Sequence, residues 1–160
     1  MPLTVDTPAV MRSGSTVGGA GGSMTTGTGA INIAALAVGN ALTIIGNSGA
    51  NRLSATIHND TLEGGAGTDW ASYANSAAGV TVDLRSTVAQ VSGGDASGDV
   101  LSNFENLTGS ASADTLRGDA GANALTGGGG DDVLNGTDGM ELLNGGGGKN
   151  QLFGKGRSEE

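Results

Sequence analysis

An acid or an amide recurs every nine residues in two stretches of this chain. The first stretch carries Asn51, Asp60 and Asp69. The second carries Asp114, Asn123, Asp132, Glu141 and Asn150. Five residues ahead of each stands a glycine (Gly46, Gly64, Gly109, Gly118, Gly127, Gly136, Gly145), with Ala55 as the exception. Two residues behind stands an apolar residue: Leu53, Leu62, Ala71, then Leu116, Leu125, Leu134, Leu143 and Leu152. Oxygen donors at a fixed interval, set among glycines whose carbonyls can turn, suit a hard divalent cation. Calcium fits best, since it takes six to eight oxygens and tolerates irregular geometry. No His or Cys lies in the second stretch, which argues against zinc and copper.

A fixed nine-residue period means a repeat architecture, and the period dictates the elements that carry these oxygens. In a unit such as GGGGDDVLN (Gly127–Asn135), the Gly and Asp residues make a tight turn. The closing Val-Leu-Asn makes a short strand with Leu134 inward, by the two-residue alternation of strands. Two units form one coil, and stacked coils form two parallel sheets with the leucines between them. Turns two units apart then stack. Asp114, Asp132 and Asn150 fall on one side, Asn123 and Glu141 on the other. Stacked carboxylates repel, and a cation between turns removes the repulsion. The fold class expected is all-β, a parallel β-roll or β-solenoid.

Composition agrees with a core of this kind. Glycine accounts for 32 of 160 residues and aromatics for 2%, so a ladder of medium side chains must supply the burial. The net charge is −9. That excludes a basic footprint for nucleic acid and favours a cation as partner. The absence of cysteine removes disulfides and thiolate chemistry.

Along the chain, residues 1–29 read as a flexible Gly/Ser/Thr-rich lead-in. Residues 30–72 read as an atypical cap, with short strands within Ile31–Ile45, followed by a first repeat array. Residues 73–108 read as a non-repeating β insert, in which Gly79–Leu84 is a strand and Val88–Leu101 a strand, a Gly/Asp turn and another strand start. Residues 109–154 form the second array, and 155–160 a polar tail. The N-terminus lacks a basic region followed by an apolar run, so no secretory signal of that type is expected. The apolar segment Ile31–Ile45 is too short to span a bilayer.

GGAGTDWAS (Gly64–Ser72) and GGGGDDVLN match the motif G-G-x-G-x-D-x-U-x through its first six positions. With five units in unbroken register and three upstream, the chain resembles the RTX (repeats-in-toxin) calcium-binding family over about Gly46–Gly154. The array–insert–array arrangement is similar to RTX-type proteins as well. The resemblance implies that the Asp at position six binds calcium through its side chain, while backbone carbonyls of its own turn and of a stacked turn complete the shell. The implied side-chain ligands are Asp60, Asp69, Asp114 and Asp132. Asn51, Asn123 and Asn150 offer neutral oxygens for weaker or absent sites, and Glu141 is one methylene longer in an incomplete turn. The backbone positions implied are Gly64, Ala66, Gly109, Gly127 and Gly129. Asp114 with Asp132 ranks first as a turn pair, then Asp132 with Asn150, then Asp69 with Asn51.

Nothing in the chain matches a catalytic motif: it contains no H-E-x-x-H, no G-x-S-x-G, no P-loop and no EF-hand loop. His58 is a lone histidine, and Trp70 is expected to pack against Tyr73 or Phe104. The function expected is therefore a non-catalytic calcium-binding module that folds on binding calcium. The resemblance implies secretion by a bacterial type I exporter. The rival expectations are a fragment of a larger secreted enzyme or adhesin, and a surface module for polysaccharide or ice. A glycan or cell-surface partner, or a parent enzyme or adhesin domain, accompanies those rivals.

Overall fold

The computed structural model describes residues 32–33 and 41–154. The lead-in, most of the segment before Ala41 and the polar tail lie outside the described residues. Within them the chain forms short strands: β1 (Asn32–Ile33), β2 (Thr43–Ile45), β3 (Arg52–Ser54), β4 (Thr61–Glu63), β5 (Trp70–Ser72), β6 (Thr81–Asp83), β7 (Val100–Ser102), β8 (Asn106–Thr108), β9 (Thr115–Arg117), β10 (Ala124–Gly128), β11 (Val133–Thr137), β12 (Leu142–Gly146) and β13 (Gln151–Gly154). A single 3-10 turn, Gly94–Ala96, is the only helical element among them. No described helix is long and apolar enough to cross a membrane.

All pairings are parallel, as successive turns of one winding require. One wall is a continuous sheet in the order β1-β3-β5-β8-β10-β12. The opposite wall is split into β2-β4-β7 and β6-β9-β11-β13. In the repeat arrays the register is eighteen residues, two units per coil: Leu125 pairs with Leu143 and Leu116 with Leu134. The chain is thus a parallel β-roll.

The core is the predicted ladder. Ile44, Leu53, Leu62, Ala71, Leu107, Leu116, Leu125 and Leu134 are wholly buried. The ladder frays in the last described strands, where Leu143 is partly buried and Leu152 is 47% exposed. Leu125 lies between Leu107 and Leu143 in the sheet. Leu125→Ala is expected to lower unfolding stability by about 2–5 kcal/mol, the usual cost of truncating a packed leucine. Chemical denaturation in saturating calcium measures it.

The segment 73–108 is woven into the roll. After β5 the chain runs forward to β6, which pairs with β9, then doubles back to lay β7 on β4 before β8 docks on β5. The split of the second wall is the consequence: β7 closes one sheet and β6 opens the next. Tyr73, Val80, Val82, Ala96 and Phe104 fill the core at this junction. The strand expected at Gly79–Leu84 is β6. The one expected from Val88 is absent: Val88 and Val91 are 69% and 94% exposed, and no neighbouring strand offers this segment a ladder. The Gly/Asp stretch forms the 3-10 turn, and the strand start at its end is β7.

Candidate metal centre

The position-six side chain immediately precedes its strand and reaches across to the neighbouring coil. One side-chain oxygen accepts the backbone N–H of the position-six residue one coil earlier. Asp69 Oδ1 accepts from Asn51 N at 2.7 Å, Asp132 Oδ1 from Asp114 N at 2.9 Å, and Asn150 Oδ1 from Asp132 N at 2.8 Å. The structure therefore brings together the members of all three ranked pairs. One oxygen of each is consumed in stitching the coils.

The second oxygen divides the turns into two kinds. In the turn Gly109–Asp114, position two is Ser110. Its N–H donates to Asp114 Oδ2 at 2.7 Å, its hydroxyl to Asp114 Oδ1 at 2.9 Å, and it accepts Ser112 N at 3.0 Å. Asp60 is held the same way by Thr56: N to Oδ2 at 2.7 Å, Oγ1 to Oδ2 at 2.9 Å, with His58 N on Oγ1 at 3.2 Å. Asn47 and Asp119 occupy position two in the turns of Asn51 and Asn123, and accept Gly49 N and Gly121 N, both at 2.8 Å. These turns are closed by their own side chains, a local competition for backbone donors typical of Ser, Thr, Asn and Asp.

The turns ending on Asp69 and Asp132 have glycine at position two. Gly65 and Gly128 carry no hydroxyl, adopt the left-handed φ of 104° and 116°, and do not bond their N–H to the Oδ2 of their acid. Asp69 Oδ2 and Asp132 Oδ2 are consequently buried without any hydrogen-bond partner, in residues that are wholly buried. An unsatisfied buried polar atom costs about 1–3 kcal/mol, more when charged. Each also faces an acceptor. Asp132 Oδ2 and Gly145 O border the space a side chain on Gly127 would fill; for Asp69 Oδ2, Asn103 O does so at Gly64. This convergence explains the glycine at position one: a Cβ there would collide with the acid of its own turn and a carbonyl of the next coil.

Opposed oxygens with no donor between them fit a cation. Asn51 supplies the neutral counterpart: its Nδ2 donates to Gly64 O at 3.2 Å, so an amide replaces the ion with a hydrogen bond. Among the described residues no three Asp, Glu or His side chains cluster as a ligand set. A cation here must draw most of its shell from backbone carbonyls. Glu141 has both carboxylate oxygens buried without a well-formed hydrogen bond, although the Asn123 and Gly139 amides approach it. Its turn is also open, with Thr137 at φ 66°. Burial raises the Glu141 and Asp132 carboxyls above the usual range, and for Asp132 the charges of Asp114 and Asp131 add to the rise.

The remaining sites are less engaged. Asn123 spends its amide on Glu105 O at 2.8 Å and on Asp119. Gly129 donates its N–H to Ser110 O, and Ala66 lies exposed on its turn. Trp70 stacks under the Arg52 guanidinium, 5.5 Å from its centroid, a contact that charge and exposure favour on the outer face.

Two position-six residues lie inside the insert, outside the nine-residue frame. Asp99 Oδ1 accepts Asp60 N at 2.6 Å, and Glu105 Oε2 accepts Asp69 N at 2.7 Å. Their signal is the acid-x-Leu triplet, Asp99-Val100-Leu101 and Glu105-Asn106-Leu107, which survives where the glycine pattern is lost. Asp99 Oδ2 accepts the Tyr73 hydroxyl at 3.0 Å. Burial, then the nearby Asp60 and Asp95 charges, pushes Asp99 up to about 7 against the Tyr73 hydrogen bond. The folded chain keeps that proton where the unfolded chain has lost it, so stability in chelator should fall as pH rises from about 4 to about 7. Denaturation midpoints across that range measure the slope, and Asp99→Asn should flatten it.

The family model for the RTX calcium-binding nonapeptide repeat matches the chain in four copies, over residues 43–71, 108–139 and 135–156. These residues include both turns with the unpartnered Asp69 and Asp132 oxygens. No curated protein matches the chain. The roll, its glycine-one and acid-six turns and these four copies make the chain a member of the RTX calcium-binding repeat family.

Proposed function

We propose that this chain is a calcium-completed β-roll module of a secreted protein, with ions held at the turns ending on Asp69 and Asp132. Glu141 forms a weaker third site, since its turn lacks glycine at position two. The observation that carries this is Asp132 Oδ2, buried, unpartnered and set against Gly145 O. Bound calcium would supply the positive charge that such opposed oxygens require. Asp132 and Asp69 each hold one oxygen toward the ion while the other keeps the coils in register. The carbonyls of the glycine-rich turns, with Gly64, Ala66, Gly127 and Gly129 among the positions the family resemblance implies, complete the shell. Gly109 belongs to a turn whose acid is already satisfied, so Asp114 and Asp60 rank below Asp132 and Asp69.

Calcium dependence suits a protein exported unfolded from a low-calcium cytoplasm, because binding energy then becomes folding energy outside. The family resemblance supports type I export and a module without its own catalysis. Far-UV circular dichroism in EDTA, then in millimolar calcium, tests this. Ordered β signal should increase on adding calcium, and an unchanged spectrum would contradict calcium-completed folding.

A further inference from the structure

We propose that Thr56 and Ser110 stand in for calcium at two turns, so that one edge of this roll is calcium-independent from Asp60 to Asp114. Both residues sit at position two, and both give their acid the same two contacts, an N–H to Oδ2 and a hydroxyl to the carboxylate, with the hydroxyl in turn accepting the position-four N–H. Asp60 Oδ1 is filled by Leu42 N at 2.8 Å and Asp114 Oδ1 by Val80 N at 2.7 Å. Between them on the same side of the roll, Asp99 is filled by Asp60 N and the Tyr73 hydroxyl. From Asp60 to Asp114 that edge holds three acids without an orphaned oxygen, Asp99 stacked on Asp60 and Asp114 on Val80. Asp69 and Asp132, whose position two is glycine, are orphaned. Position two thus sets whether a turn takes an ion: a hydroxyl that reaches the acid closes it and glycine opens it, while at Glu141 the Thr137 hydroxyl donates to Asp119 O instead and leaves the acid open.

The inference rests on calcium occupying the Asp132 and Asp69 turns, and the test separates the two. Calorimetric calcium titrations compare the wild-type chain, Ser110→Gly and Asp114→Asn. The wild-type chain should bind calcium; a wild-type chain that binds none overturns the occupancy of Asp132 and Asp69, and this inference with it. Ser110→Gly should gain one ion per chain and become less stable in chelator, since Asp114 Oδ1 loses the hydroxyl donor and a glycine backbone is free to turn its N–H off Oδ2. Asp114→Asn should keep the wild-type stoichiometry, which also covers the case in which Ser110→Gly fails to fold. If the wild-type chain binds calcium but Asp114→Asn loses an ion, Asp114 is a ligand and the substitution of hydroxyl for ion is wrong. Unchanged stoichiometry in a folded Ser110→Gly contradicts it equally.

Discussion

Asp132→Asn is expected to change stability in opposite directions with and without calcium. With calcium, the variant loses a charged ligand, and affinity at that turn should drop on the order of 100-fold, within the span over which ligand charge tunes such sites. In chelator, it should be more stable than the wild-type chain, by about 1–3 kcal/mol, because a buried unpaired oxygen is replaced by a donor. Two asparagine turns show the geometry that results: Asn150 Oδ1 takes the neighbouring amide of Asp132, and Asn51 Nδ2 reaches the opposed carbonyl of Gly64. Paired denaturation curves in calcium and in EDTA measure both arms. A variant less stable in both conditions would mean that Asp132 Oδ2 is satisfied without a cation.

Removing calcium from the wild-type chain should have the largest effect of all. A ligand at a thousand times its Kd adds about 4 kcal/mol of stability per site. For a domain of this size that corresponds to a melting midpoint higher by more than about 10 °C. The loss in EDTA should be uneven. Amides of β11 to β13 should exchange fastest, since they flank Asp132 and end on the half-covered Leu143 and Leu152. Amides from β7 to β9 should remain protected, because Asp99 and Asp114 are closed by side chains. Hydrogen exchange read segment by segment checks the pattern.

The roll was legible because its determinants are local and periodic. A leucine every nine residues has one geometric meaning when glycine turns separate the strands, and the buried ladder follows directly. The side on which each acid falls follows from the same period. The insert was harder to read. Asp99 and Glu105 take position-six roles across gaps of 39 and 36 residues, and no period links them to Asp60 and Asp69. The acid-x-Leu triplet was the surviving signal. The exposed segment from Val88 shows the converse: alternating apolar residues make a strand only where a neighbour presents a free edge.

The ranking of the sites needed side-chain geometry. By type, Asp114 and Asp132 are equivalent acids at equivalent positions. They differ in a residue four places upstream, Ser110 against Gly128, which decides whether the second oxygen has a donor. Position two is visible in the sequence, but its meaning depends on backbone conformation: Gly128 sits at φ 116° and its N–H makes no bond to Asp132 Oδ2. Thr56 lowers Asp60 in the ranking as Ser110 lowers Asp114, whereas Glu141 rises because the hydroxyl of its strained Thr137 donates to Asp119 O and leaves the acid unpartnered.

A calcium titration by calorimetry of the wild-type chain, Asp69→Asn and Asp132→Asn tests the central claim most directly. The wild-type chain should bind no more ions than there are turns with an unpartnered acid, those of Asp69, Asp132 and Glu141. Asp69→Asn and Asp132→Asn should each lose one. A wild-type chain that binds no calcium, or variants that keep the full count, would contradict calcium at these turns.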